Sequence, residues 1–117
     1  MNKAIAFFLL LTAPSILFAT ICPTKVISTH VDSSGDVLVR PDFTGGDGHL
    51  VICNLEIVKN APISVCKAWL TILESAIATG KQIDISYPDN VKCEILKDEK
   101  YHYNKAPALN YILLHDQ

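Results

Sequence analysis

In SVCKAWLTILESAIATGKQIDISY, residues 64–87, an apolar spacing of three and four gives way to strict alternation. Cys66, Trp69, Leu70, Leu73, Ala76 and Ile77 fall on one side of a helix, with Lys67, Thr71, Glu74 and Ser75 on the other. Ser64 is placed to cap that helix by accepting a bond from a free backbone N–H. Gly80, just past Thr79, supplies the left-handed residue on which helices end. Ile83, Ile85 and Tyr87 then share one face of a strand. A single amphipathic helix followed at once by a half-buried strand points to a small α+β domain.

Outward from this unit, both flanks read as β structure. Thr24 to Val31 (TKVISTHV) is rich in β-branched residues, and Ser33-Ser34-Gly35-Asp36 provides turn chemistry before a second strand from Val37 to about Phe43. A third strand runs from His49 to Ile57 (HLVICNLEI), so the first part of the chain is expected to be a three-stranded meander. On the other side, Pro88-Asp89-Asn90 turns the chain, Val91 to Leu96 is expected to form a short strand, Lys97 to Lys100 a solvated loop, and Leu109 to Leu114 a closing strand. The order β-β-β-α-β-β fits a five- to six-stranded barrel of the OB type carrying one helix.

The first 19 residues differ in character. Lys3 precedes the apolar run Ala4 to Leu11, and Thr12, Pro14 and Ser15 break that run before Ala19, the layout of a secretory signal peptide. The expected organisation is therefore a leader over 1–19 and one domain over 20–117, with no later apolar span. Ile21 before Cys22 argues against acylation of that cysteine. The 117-residue chain is 50% apolar, and without the leader the fraction falls to about 45%, ordinary for a soluble domain. Loss of Lys3 leaves Lys+Arg at 9 against 12 acidic residues, with no basic run, so nucleic acid is not an expected partner.

Cys22, Cys53, Cys66 and Cys93 all follow the leader, and an even count in an exported domain reads as disulfides. None of their spacings is C-x-x-C. Three connectivities are possible, and a helix rising ~20 Å from Cys66, answered by a returning strand of similar length, favours Cys66 with Cys93 and Cys22 with Cys53.

Little in the chain advertises catalysis. His30, His49, His102 and His115 are scattered, so no metal or other cofactor is expected. Gly45-Gly46-Asp47-Gly48 is similar to a calcium-binding glycine repeat but occurs once, with Leu50 where an aspartate would be needed, and reads as a hairpin loop. There is no Gly-x-Ser-x-Gly elbow, and bridged cysteines leave no thiol nucleophile. The chain is read as a non-enzyme. Trp69 lies within the apolar helix face and reads as core. Tyr101-His102-Tyr103-Asn104 stands in a polar segment before Pro107 and has two readings: a surface that stacks on a sugar or a partner protein, or a loop pinned by one tyrosine.

Val26-Ile27-Ser28-Thr29-His30, the cysteine-bearing LVICNLE strand, the helix closing on Ala78-Thr79-Gly80-Lys81-Gln82 and the alternating IDISY strand together resemble the B subunits of pertussis-like bacterial toxins, of the subtilase-cytotoxin and typhoid-toxin type. The resemblance covers about Val26 to Tyr87. It implies an exported OB-fold, a homopentameric ring, host-glycan binding and a separate A subunit. The family's sugar pocket uses a serine at the entrance to the first strand, where this chain has Pro23 or Thr24, and an aromatic residue near the helix end, where it has Ile77. The candidate glycan contacts are therefore Thr24, Ser28, Tyr101, Tyr103 and Asn104. The alternative function is a secreted or periplasmic interaction protein, such as an inhibitor presenting a disulfide-braced loop to a protein partner.

Overall fold

The computed structural model describes residues 19–44 and 48–116. The expected leader, apart from Ala19, and residues 45–47 of the expected hairpin loop lie outside them. Within the described residues the chain forms an α+β domain of six strands and one α-helix, held by two disulfides. The strands are β1 (Thr20–Thr24), β2 (Val26–Val31), β3 (Asp36–Pro41), β4 (Leu50–Asn54), β5 (Ile83–Tyr87) and β6 (Tyr111–Leu114); α1 (Ile63–Thr79) separates β4 from β5. They make two antiparallel three-stranded sheets, ordered β1-β5-β6 and β2-β3-β4. The meander expected from the sequence is the second sheet. Among the described residues no ladder joins the two sheets into a closed barrel.

The helix packs on β2, β4 and β6 through Cys66, Trp69, Leu73 and Ala76, all buried. Leu70 is half-buried and Ile77 is 42% exposed, so the contact stripe is narrower than the apolar stripe of the sequence. The N-terminal end also differs from expectation. The capping position is Pro62, with no side-chain bond, and Ser64 lies inside the first turn. Proline there is already set at a φ suited to entering a helix, and its carbonyl accepts from Cys66 N at 3.0 Å. At the other end Gly80 adopts φ 69°, as its position predicted.

β3 is buried at five of six positions and β4 throughout, since the sheet is covered on both faces. Ile83, Ile85 and Tyr87 of β5 are fully buried, as the alternation requires, but Ser86 on the other face is buried as well, so the strand is more than half-buried. Tyr87 Oη is buried without a hydrogen-bond partner. Desolvation raises its pKa well above the ordinary tyrosine value. A raised folded-state pKa leaves stability intact below about pH 10, the unfolded value, and removes it as pH climbs further, by ~1.4 kcal/mol per pH unit. Tyr87→Phe is expected to match wild type in urea at pH 7 and to flatten the loss between pH 10 and 12. An unchanged alkaline slope would show that Tyr87 does not govern it.

Three features depart from the sequence reading. Residues Thr20–Thr24, not expected to be a strand, form β1; Pro23 is tolerated because β1 is an edge strand. The segment read as a strand at 91–96 is instead a 3-10 helix, Cys93–Lys97, that turns Leu96 into the core. A second short 3-10 helix, Glu99–Tyr101, follows within the expected solvated stretch.

The cysteines pair as Cys22–Cys93 and Cys53–Cys66, in place of the expected Cys66–Cys93 and Cys22–Cys53. Pairing of β5 with β1 is the reason. Tyr87 lies opposite Thr20 and Ile85 opposite Cys22, so the chain leaving β5 turns at 88–90 and brings Cys93 back beside Cys22. Cys66, in the first turns of α1, meets the end of β4, where Cys53 stands.

Candidate functional site

The segment from the second 3-10 helix to β6 carries three of the five candidate contacts, Tyr101, Tyr103 and Asn104, and its conformation is set by a few anchors. His102 is buried and its Nε2 lies 2.8 Å from Leu96 O. The approach of 48 to this ring is so close that a Cβ on Gly48 would sit 2.7 Å from His102 Nε2 and 2.7 Å from Thr44 Cβ, so any side chain there would force these neighbours to shift.

Tyr103 follows. Its N–H donates to His49 O at 2.7 Å and its carbonyl accepts from Val51 N at 3.3 Å, a parallel bridge to Leu50 at the start of β4. These bonds hold Tyr103 at φ 56°, a left-handed conformation rare for an aromatic residue. The strained backbone turns the side chain outward, 55% exposed. Its ring stacks on His49 with centroids 5.9 Å apart and planes 17° from parallel, and His49 in turn meets His30 of β2 edge-on at 5.4 Å. A row of three rings thus crosses from the edge strand β2 to the 103 segment.

Next to this row, Lys97, Asp98, Glu99, Lys100, Tyr103 and Lys105 are among the residues that line an open depression of about 810 Å³. Lys100 Nζ lies 5.2 Å from the centre of the Tyr101 ring. On the far side of Tyr103, Asn104 Oδ1 accepts from Lys59 Nζ at 3.2 Å, and the same ammonium pairs with Asp36 at 3.2 Å.

The sequence-derived contacts divide accordingly. Tyr101, Tyr103 and Asn104 are brought together, with Tyr103 the most outward-facing of the rings. Thr24 is 1% exposed; its hydroxyl donates to Asp42 Oδ1 at 2.6 Å and accepts from Asp42 N at 3.0 Å, which ties β1 to the 3-10 turn at 42–44 and withholds it from any ligand. Ser28 is half-buried in β2 at the register shift opposite Arg40 and is not brought together with the 103 segment. His30, His49 and Lys59 are the contributors that sequence reasoning missed. No spacing could reveal them, because they come from β2, the connection just before β4 and the loop after it, which meet only in the fold. All four cysteines are bridged, and no group of three metal-ligating side chains occurs among the described residues.

Comparison of the chain with protein-family models, with curated proteins and with solved structures finds no match in any of the three.

Proposed function

We propose that this chain is an exported, non-catalytic binding module that recognises a host glycan through the surface around Tyr103, in the manner of a toxin B-subunit homologue. The observation that carries this reading is Tyr103 itself: an aromatic ring held outward at φ 56° by two backbone bonds and backed by His49. Sugars present C–H faces that stack on such a ring and hydroxyls that need donors and acceptors beside it. Asn104 and the lysines of the depression supply those, and the lysines suit an acidic sugar.

Strand connectivity supports an OB-like arrangement. β1 and β2 are interrupted only at Lys25, so one strand path runs through both sheets and orders them β6-β5-β1/β2-β3-β4. That is the shared first strand of a partly open Greek-key barrel, whose gap here lies between β4 and β6. Two disulfides in so small a domain suit an oxidising compartment outside the cytoplasm. Among the described residues no helix is long and apolar enough to cross a membrane.

On a glycan array the oxidised protein is expected to bind a restricted set of sugars, and Tyr103→Ala to weaken that binding about tenfold, the value of one aromatic stacking contact. Absence of binding to any glycan overturns the reading.

A second reading is favoured by a different observation. The loop closed by Cys53–Cys66 presents Ile57 and Val58 at 59% and 76% exposure, and Asn54 Oδ1 braces it by accepting from Glu56 N at 2.7 Å and Ile57 N at 3.0 Å. A covalently closed loop with two adjacent apolar tips suits contact with a protein partner. Light scattering separates the two: five chain masses are expected for a B-subunit ring, with a separate A subunit as its further partner, and one for the interaction protein.

A further inference from the structure

Lys59, Asn104 and Asp36 form a constellation of which the proposed glycan surface uses only Asn104. Lys59 Nζ lies 3.2 Å from Asn104 Oδ1 and 3.2 and 3.5 Å from the two oxygens of Asp36. The Asp36 side chain is 7% exposed and that of Lys59 31%. Asp36 is fixed further by Asn54 Nδ2, which donates to Oδ1 at 2.9 Å and to Ser34 O at 3.0 Å. The Lys59 amine thus has the Asn104 carboxamide and the Asp36 carboxylate each within hydrogen-bond distance, and these are the reactants and the proton carrier of an amide exchange.

We propose that Lys59 and Asn104 become joined by an intramolecular isopeptide bond, with Asp36 as the proton carrier. The Asp36 carboxylate takes one proton from the Lys59 ammonium, and the freed amine attacks Asn104 Cγ. A new Nζ–Cγ bond forms. The Cγ–Nδ2 bond then breaks as Asp36 passes this proton, and the second one that Nζ sheds on becoming an amide nitrogen, to the leaving nitrogen, which departs as ammonium. The acid returns to its carboxylate form, one amide replaces another, and no oxidant or cofactor takes part. Proximity is the main source of rate, since the three groups are positioned by β3, the Cys53–Cys66 loop and the 103 segment before any reaction begins. Exposure of Asn104 gives the ammonium a way out.

The bond would also meet a structural need. The chain from 93 to 110 has Cys22–Cys93 at its start and a single β-bridge at Tyr103, but no ladder. A Lys59–Asn104 link would fasten it covalently one residue beyond Tyr103, to a loop already closed by Cys53–Cys66.

Intact-mass spectrometry of the oxidised, denatured protein is expected to show the chain mass less the disulfide hydrogens and one ammonia. Proteolysis is expected to yield a branched peptide joining residue 59 to residue 104. Lys59→Arg keeps the pairing with Asp36 but cannot form the amide, and is expected to show no ammonia loss. Asp36→Asn preserves side-chain shape and is expected to remain unlinked while giving a wild-type circular dichroism spectrum. A full-mass wild-type protein overturns the proposal. So does an ammonia loss that mild base reverses, the mark of a succinimide, or one that persists in Lys59→Arg. Linkage in folded Asp36→Asn removes the aspartate from the mechanism.

Discussion

Replacing Cys22 and Cys93 together by alanine is expected to lower unfolding stability by roughly 4 kcal/mol, a fall in melting temperature of roughly 15–30 °C for a domain of this size. The pair spans 71 positions of sequence, whereas Cys53–Cys66 spans 13. If a cross-link acts by restricting the unfolded chain, the longer loop loses more entropy and the Cys53→Ala/Cys66→Ala pair costs less, about 3 kcal/mol. Thermal melts of the two double variants test the order. Equal losses, or a larger loss at Cys53 and Cys66, would mean that native packing around the sulfurs outweighs chain entropy. The longer bridge has a second consequence, because it ties the start of the 93–103 segment to β1. Its removal is expected to increase amide exchange at 95–103 more than in β3 or β4.

Local periodicity made much of this fold legible. The helix and the alternating strand after it rest on repeats of 3.6 and two residues, the glycine terminus and the meander before it on turn residues and β-branched composition, and each is present. Where the sequence misled, the deciding contact lay far away in the chain. Val91 to Leu96 has the composition of a strand, but a disulfide to Cys22 and the burial of Leu96 are compatible with a 3-10 turn. The cysteine pairing failed for the same reason: it depends on β5 pairing with β1, and nothing in either strand names its neighbour. Thr24 looked like a surface hydroxyl because its partner, Asp42, lies 18 residues on. At the site, Tyr103 and Asn104 are visible as an aromatic and an amide side chain before a proline. The left-handed backbone that presents Tyr103, the His49 ring behind it and the Lys59–Asp36 pair beside it arise from tertiary juxtaposition alone.

Leu73→Ala is expected to cost about 3–4 kcal/mol. Leu73 is fully buried at the centre of the α1 contact stripe, one turn from Trp69 and one from Ala76, and truncation removes its transfer energy and leaves a cavity that the two disulfide-braced sheets cannot easily close. Trp69, the sole tryptophan and only 7% exposed, reports the transition: its emission shifts to the red as the helix leaves the sheets. In urea the midpoint is expected to fall while the slope stays constant. Ile77→Ala is the informative companion. Helical spacing places Ile77 on the same apolar stripe, yet it is 42% exposed, so its truncation is expected to cost less than about 1 kcal/mol. If the two substitutions cost the same in the assembled protein, Ile77 is covered by something outside this chain. Dilution then decides what covers it: a penalty at Ile77 that disappears as the protein is diluted, while the penalty at Leu73 persists, identifies the cover as a second copy, since only the intermolecular contact depends on concentration.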